Sequence, residues 1–239
     1  MSSGRHVVVD KPALLELAEA EAMVALAAAR GCALAEATVY DRHPQFDAIM
    51  ALQAEGRPAH RVVATFSFPP LTEGNFRIGA KLGAGALYDL GPYAVGICRF
   101  VFGQMPDEVF CRITGRHEQS GVDTAFTVCA TFPGGGNFLG QFGFDTEYQN
   151  RVIVSGSDYA IEMERAFTIP PTAEGQLTLW RKNQRSTIAT APGDTFARFF
   201  SEFVDALEGG DTRAFANALV ADARMLKMMR DSAKGVTRP

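Results

Sequence analysis

Two side chains able to work on one polar substrate stand four residues apart, Asp89 and Tyr93, in the segment 83–93 that reads Gly-Ala-Gly-Ala-Leu-Tyr-Asp-Leu-Gly-Pro-Tyr. A carboxylate holds hydroxyl groups and a phenol gives or takes a proton, so the pair suits acid/base work on an alcohol or carbonyl oxygen. On a helix this spacing puts both on one face, about one turn apart; if Gly91-Pro92 interrupts the helix, with Pro92 its first helical residue, they flank one tight corner. Taken alone, D-x-x-x-Y better describes a capping carboxylate and an aromatic at a helix entry, and what changes that lies upstream. A third reactive group stands upstream, in His-Val-Val-Val-Asp-Lys-Pro at residues 6–12. There a β-branched run of the kind that forms a buried parallel strand stops at a charged pair and a proline. Ligands of open α/β sheets bind at such strand ends, so Lys11 is a candidate to share a substrate with Asp89 and Tyr93. A nearby ammonium favours phenolate, which predicts a lowered pKa for Tyr93; Lys11 also orients the substrate oxygen, and Asp89 holds a substrate hydroxyl or Lys11.

The elements that must position these groups fall into two units. The first is strand, helix, strand: the valine run, a helix over residues 13–30 with Leu15, Ala18, Ala22, Leu26 and Ala29 at helical spacing, Gly31 placed to close it, and an apolar strand over 32–39. Two parallel strands cannot bury both faces of a sheet, and no obvious partner for this unit is visible along the chain. A helix over residues 44–55 follows, with Pro44 at its start and Gly56 at its end. From Arg61 the apolar period changes to two: Val62, Ala64, Phe66 and Phe68 share one face, and the same division recurs at Phe126, Val128, Ala130 and Phe132 and over residues 138–144. Further strands are predicted over 107–114, 150–155, 160–165, 176–181 and 186–190. The result is a large, mostly antiparallel sheet whose oily face is expected to be covered by a helix over 91–102, ending at Gly103, and by late helices over 195–207 and 212–233. In the first late helix Phe196, Phe199, Phe200, Phe203 and Leu207 are read as one core stripe.

Composition sets the class. With 47% hydrophobic and 21% charged residues, a formal net charge of −4 and no basic stripe, the chain is ordinary globular material without the electrostatic footprint of a nucleic-acid binder. Apolar runs are short and the start has no hydrophobic leader core, which predicts a cytoplasmic protein and no membrane partner. Cys32, Cys98, Cys111 and Cys129 are widely spaced among apolar neighbours and the four histidines join none of them, so core thiols are expected, with no disulfide and no metal.

Three ordered motifs carry a resemblance. Asp10-Lys11-Pro12 resembles the Glu-Lys-Pro motif of the glucose-fructose oxidoreductase, inositol dehydrogenase and rhizopine-catabolism family, Gfo/Idh/MocA; residues 37–45, Ala-Thr-Val-Tyr-Asp-Arg-His-Pro-Gln, resemble that family's segment after the last nucleotide-domain strand; residues 83–93 resemble its glycine-rich turn and D-x-G-x-H/Y. The tyrosine form, with Asn75-Phe76-Arg77 before it, is similar to the branch holding glucose-fructose oxidoreductase, dihydrodiol dehydrogenases and some sugar dehydrogenases. The resemblance implies the end of a Rossmann-type dinucleotide-binding domain over residues 1–40 and a substrate-binding and oligomerisation domain over 41–239, an α/β remnant plus α+β. It implies a NAD- or NADP-dependent enzyme passing hydride between a nicotinamide and a sugar or polyol. Lys11, Asp89 and Tyr93 are then the catalytic residues and Asp10, Lys11 and Pro12 face the nicotinamide. Asp10 is shorter than the family's glutamate. Arg42, His43, Arg77, Asp89 and Tyr93 are the candidate substrate contacts, although His43 also fits a helix entry, Arg77 a surface ion pair and Tyr40 plain packing.

The family's G-x-G-x-x-G phosphate turn occurs nowhere in the sequence: Gly83-Ala84-Gly85 lacks the third glycine and an upstream buried strand, and Gly134-Gly135-Gly136 sits between alternating strands as a hairpin does. The expectation is therefore a chain lacking most of the first domain, with two alternatives: a non-catalytic sugar-binding or oligomer-forming module that has lost its cofactor, and one half of a split enzyme whose other chain supplies the nucleotide-binding part. A homodimer or homotetramer through the open face of the sheet is expected in either case.

Overall fold

The computed structural model describes residues 4–79 and 83–235. The valine run forms β1 (Val7–Asp10). Helix α1 (Leu17–Ala29) begins later than the apolar spacing suggested, because the Ala13 amide donates to the Glu36 carboxylate at 2.8 Å and holds the chain after Pro12 outside the helix. Gly31, at φ +60°, closes α1 as its position predicted. The chain then enters β2 (Leu34–Ala37), which pairs with β1 in parallel from Val7 opposite Leu34 to Asp10 opposite Ala37.

Two short 3₁₀ turns, Tyr40–Arg42 and Pro44–Phe46, lead into α2 (Asp47–Ala54). After β3 (Arg61–Ser67) and a 3₁₀ turn at Phe76–Ile78 come a single helical turn, α3 (Ala86–Asp89), and α4 (Gly91–Phe102). The strands β4 (Glu108–Arg116), β5 (Asp123–Phe132), β6 (Gly136–Gly143), β7 (Gln149–Ser155), β8 (Tyr159–Glu164), β9 (Gly175–Arg181) and β10 (Gln184–Thr190) complete the sheet, and α5 (Thr195–Glu208) and α6 (Arg213–Ala233) follow. The eight strands lie in the order β10-β9-β8-β7-β3-β6-β5-β4, with β3 and β6 parallel and every other pair antiparallel.

Period-two patterning decides which face is covered. Val62, Ala64, Phe66, Phe126, Val128, Ala130, Phe132, Phe138 and Phe142 are buried with residues of α3, α4 and the end of α6, whereas Thr131, Cys129 and Leu139 on the opposite face are exposed. Cys129 thus departs from the expected core thiol, because its strand position turns it to the open face; Cys32, Cys98 and Cys111 are buried. Along one ladder row of that open face Phe110, Cys129, Leu139, Val63 and Ile153 are successive cross-strand neighbours.

The late helices do not all cover the large sheet. Helix α5 instead packs Phe199 and Phe203 on Ala33, Ala35 and Ala37 beside Val8, covering one face of the β1–β2 pair. Its aromatic stripe is consequently split, with Phe196 53% and Phe200 45% exposed on the outer side. Helix α1 and α6 cover the other face, where Ala20, Ala27, Cys32 and Leu34 meet Leu219 and Ala223. The two parallel strands therefore do find their partners within the chain, almost two hundred residues downstream, a distance over which local patterning carries no signal. Among the described residues no helix is long and apolar enough to cross a membrane.

Candidate functional site

Lys11 sits where β1 ends, and the Lys11–Pro12 peptide is cis. Its ammonium donates to the Asp89 backbone carbonyl at 2.7 Å and to Asp89 Oδ1 at 2.9 Å. The second carboxylate oxygen, Oδ2, accepts from Arg77 Nε at 2.9 Å. Asp89 therefore lies between two cations, and with Lys11 and Asp89 only 16% and 18% exposed the group is shielded enough to keep a fixed geometry. The Lys11 ammonium also lies 4.8 Å from the centroid of the Tyr93 ring, over its face. Four predicted residues from β1, a 3₁₀ turn, α3 and the first turn of α4 are in this way brought together.

Local sequence explains why each is held. Asn75 Oδ1 accepts from the Arg77 amide at 3.0 Å and fixes the turn that carries Arg77. Gly85 donates its amide to the Arg77 carbonyl at 2.8 Å and accepts from the Asp89 amide at 3.1 Å, so one residue ties both partners of the ion pair. Its φ of +107° suits glycine, and a Cβ here would stand 2.4 Å from Asp123 Oδ1. Asp123 Oδ2 in turn accepts from the Leu87 amide at 2.7 Å, at the start of α3. Pro92 lies in the first turn of α4, where a missing amide costs nothing. Tyr40 donates its hydroxyl to the Tyr93 backbone carbonyl at 3.0 Å. The rings of Tyr40, Phe66 and Phe167 stand 5.6, 5.0 and 5.4 Å from that of Tyr93.

This packing overturns one expectation. Burial pushes the Tyr93 phenol up to about 12, Asp89 and Asp10 add to the rise, and Arg77 opposes it. Desolvation and two carboxylates outweigh Arg77, and Lys11 meets the ring face; Tyr93 is a neutral phenol rather than one poised to ionise near neutral pH. Of the remaining candidates, Arg42 and His43 have their partners outside the cluster, and Asp10 borders it. Arg42 pairs with Asp41 and, through Nε at 3.2 Å, with Glu202 of α5, and its guanidinium rests over Phe199. His43 is fully buried, accepts the Gln45 amide on Nδ1 at 3.3 Å and leads into the 3₁₀ turn, the helix-entry role that its position before Pro44 allowed. Asp10 accepts the Lys11 amide at 2.8 Å and is exposed at the strand end. Sequence reasoning passed over Asp123, Phe66 and Phe167, which reach the site only through sheet register and a loop. Asp123 standing alone at the start of an apolar strand was the one available cue.

A glycine-rich turn at a helix start raises the question of a phosphate. Here the amide that an anion would take, that of Leu87, is already capped by Asp123, so residues 83–87 do not form a pyrophosphate cradle.

Residues 49–162 match the GFO/IDH/MocA C-terminal domain. The dTDP-3,4-didehydro-2,6-dideoxy-alpha-D-glucose 3-reductase of Actinomadura kijaniata is 27% identical over 243 residues, covering 100% of this chain and 73% of that protein. The D-xylose 1-dehydrogenase (NADP(+)) 2 of Haloferax volcanii is 30% identical over 211 residues, 87% of this chain and 64% of its own length. The crystal structure of KijD10, a 3-ketoreductase from Actinomadura kijaniata in complex with NADP and TDP-benzene, superposes with a TM-score of 0.88 at 26% identity, over 97% of this chain and 72% of that one. The chain thus spans between 64% and 73% of the length of these relatives. With the eight-stranded sheet, the motif lysine held on the aspartate and the tyrosine packed beside them, these matches agree on one assignment: the chain belongs to the Gfo/Idh/MocA family of oxidoreductases.

Proposed function

We propose that this protein takes part in NAD- or NADP-dependent hydride transfer to or from a sugar or related polyol, with Lys11, Asp89 and Tyr93 at the reacting carbon and Arg77 contacting the substrate or steadying Asp89. The observation that carries the reading is the Lys11 ammonium, fixed by the carboxylate and carbonyl of Asp89 and set over the Tyr93 ring. A bound nicotinamide supplies or accepts the hydride, and Asp10, Lys11 and Pro12 at the end of β1 are the residues that would face it. Two relatives bearing NADP in their names or structures favour that cofactor class.

The chain's own residues handle the oxygen. Lys11 polarises a substrate carbonyl by donating to its oxygen, and Asp89 keeps the ammonium in place. Tyr93, held as a phenol by burial, is better suited to give a proton to an oxygen gaining negative charge than to remove one. The raised pKa of Tyr93 thus favours the reductive direction, in line with the ketosugar reductases among the matches. Phe66, Phe167 and Tyr40 keep water from the tyrosine ring and fix its orientation. We further propose a homo-oligomer through the exposed face of the large sheet.

The test is turnover by the native gene product with NADPH or NADH and a panel of aldoses, ketosugars and nucleotide-linked sugars. Tyr93→Phe and Lys11→Ala are each expected to lower kcat by about 10²–10⁴-fold, the usual worth of a positioned acid or base, with the circular dichroism spectrum unchanged. Undiminished kcat in Tyr93→Phe removes the phenol from the proton path. No turnover of any member of the panel by the wild type favours the non-catalytic module.

A further inference from the structure

Next to the Tyr93 packing cluster lies a polar group that the proposed chemistry does not use. Asn150 of β7 stands opposite Phe66 of β3, so its side chain points to the helix-covered side of the sheet, where the Phe66 ring meets Tyr93 at 5.0 Å. Asn150 is only 6% exposed, and its amide is fully used. Its Oδ1 accepts the Phe167 amide at 2.9 Å, and Nδ2 donates both to Tyr148 Oη at 2.9 Å and to Thr168 Oγ1 at 2.7 Å.

Counting hydrogens leaves one over. Tyr148 Oη and Thr168 Oγ1 are 3.1 Å apart, and each carries one O–H. Only one of the two can donate to the other, because the acceptor's own hydrogen must then point away. That remaining hydroxyl has no acceptor among the described residues. Tyr148 is 41% exposed and Thr168 is exposed, so the spare donor and the unused lone pairs face outward. An open cavity of about 290 Å³, lined by Tyr148, Gln149, Asn150, Arg151, Glu164 and Arg165, lies beside Tyr148, close to the lower size of small-ligand sites.

We propose that Tyr148 and Thr168 form a hydroxyl-binding subsite for the part of a polyhydroxylated substrate that lies beyond the reacting carbon, one aromatic ring away from Tyr93. The inference rests on the oxidoreductase reading above. A carbohydrate hydroxyl both donates and accepts, and a rigid pair offering one donor beside a lone pair answers it; an apolar or purely anionic ligand uses only part of that set. Asn150 is the positioning residue, since it sets the two hydroxyls and, through the Phe167 amide, the ring that packs on Tyr93 at 5.4 Å.

The experiment is a titration of the native protein, labelled with ¹⁵N-asparagine and ¹³C-tyrosine, with D-glucose. The side-chain NH₂ signals of Asn150 are expected to shift saturably, and Tyr148→Phe and Thr168→Val each to weaken the apparent affinity roughly three- to ten-fold, the loss that goes with one net hydrogen bond. Both substitutions remove a single exposed hydroxyl or replace it by a methyl group, so unchanged circular dichroism is expected, and the double variant serves as the check on additivity. Unchanged affinity in the double variant overturns the subsite, as does the absence of any saturable shift at Asn150. If the Tyr93 signals move while those of Asn150 do not, the subsite is lost and the reading of Lys11, Asp89 and Tyr93 stands. A saturable Asn150 shift in a protein that turns over no sugar separates the two the other way.

Discussion

The tyrosine of this site is held neutral by its surroundings, and the largest controllable contribution is the carboxylate beside it. Burial is the first cause of the raised Tyr93 pKa and Asp89 the second. Asp89→Asn removes one negative charge that disfavours phenolate, so the Tyr93 pKa is expected to fall from about 12 toward the ordinary tyrosine value while burial keeps it above that value. A ¹³C-tyrosine titration between pH 9 and 12 reads it directly; an upward or absent shift means that Asp89 does not act on the phenol through its charge. The reversed expectation for this residue came from the chemistry visible in the sequence. Lys11 and Tyr93 are correctly paired as neighbours by motif, yet a phenol's pKa depends on how much water its ring loses, and that loss is set by Phe66 and Phe167. Neither stands near Tyr93 in the chain. Arg42 and His43 illustrate the same limit: the partners they have in the fold, Asp41 and Glu202 for the one and the Gln45 amide for the other, are not read from residue type.

Elements were more legible than contacts. Strand β3 and helix α4 fall within a residue of the spans that periodicity gives, because the period of the apolar residues is a local property read along one segment. The split role of α5 was not, since its sequence shows six large apolar side chains and nothing in it says that Phe199 and Phe203 are buried on a sheet while Phe196, Phe200 and Val204 stay exposed. Two predictions belong to this scale. At the turn before α3, Gly85→Ala forces a side chain onto the Asp123 carboxylate at a φ of +107°, and should cost about 1–3 kcal/mol in urea unfolding while displacing Asp89 from Lys11. Wild-type stability in that variant shows that the turn relaxes freely. On α6, Asp222 is 3% exposed, and burial raises its carboxyl to about 6 against the pull of Arg99, whose Nε donates to it at 2.8 Å. The folded state then holds the proton more tightly than the unfolded chain. This contribution to stability is present below about pH 4 and is lost as pH rises toward about 6, a change on the order of 2–3 kcal/mol. Asp222→Asn does not titrate, so the difference in melting temperature between variant and wild type should move in the variant's favour from pH 4 to pH 7. A constant difference across that range removes Asp222 from the pH dependence.

At the scale of the whole molecule, one broad face of the large sheet carries Val63, Thr127, Cys129, Thr131 and Leu139 without a helix over it among the described residues. A flat, partly apolar surface of this kind meets its own copy across a two-fold axis with little rearrangement. Light scattering is expected to give a discrete dimer or tetramer, and Thr127→Arg with Thr131→Arg to split it. Retention of the assembly in the double variant, with its loss on removing residues 1–9, assigns the contact to the free edge of β1 instead. Helix α6 adds a further consequence. Phe215 belongs to the cluster under α5, Leu219 and Ala223 to the one under α1, and Met225, Leu226 and Met229 to the core of the large sheet. During synthesis β1 emerges well before α6, yet Leu219 and Ala223 of α6 are part of the surface that, with α1, buries Val7 and Val9. The β1–β2 pair must therefore wait, covered only by α1 on that face, until α6 is made, and a nascent polypeptide halted before Arg213 leaves those valines half-covered within reach of chaperones and proteases.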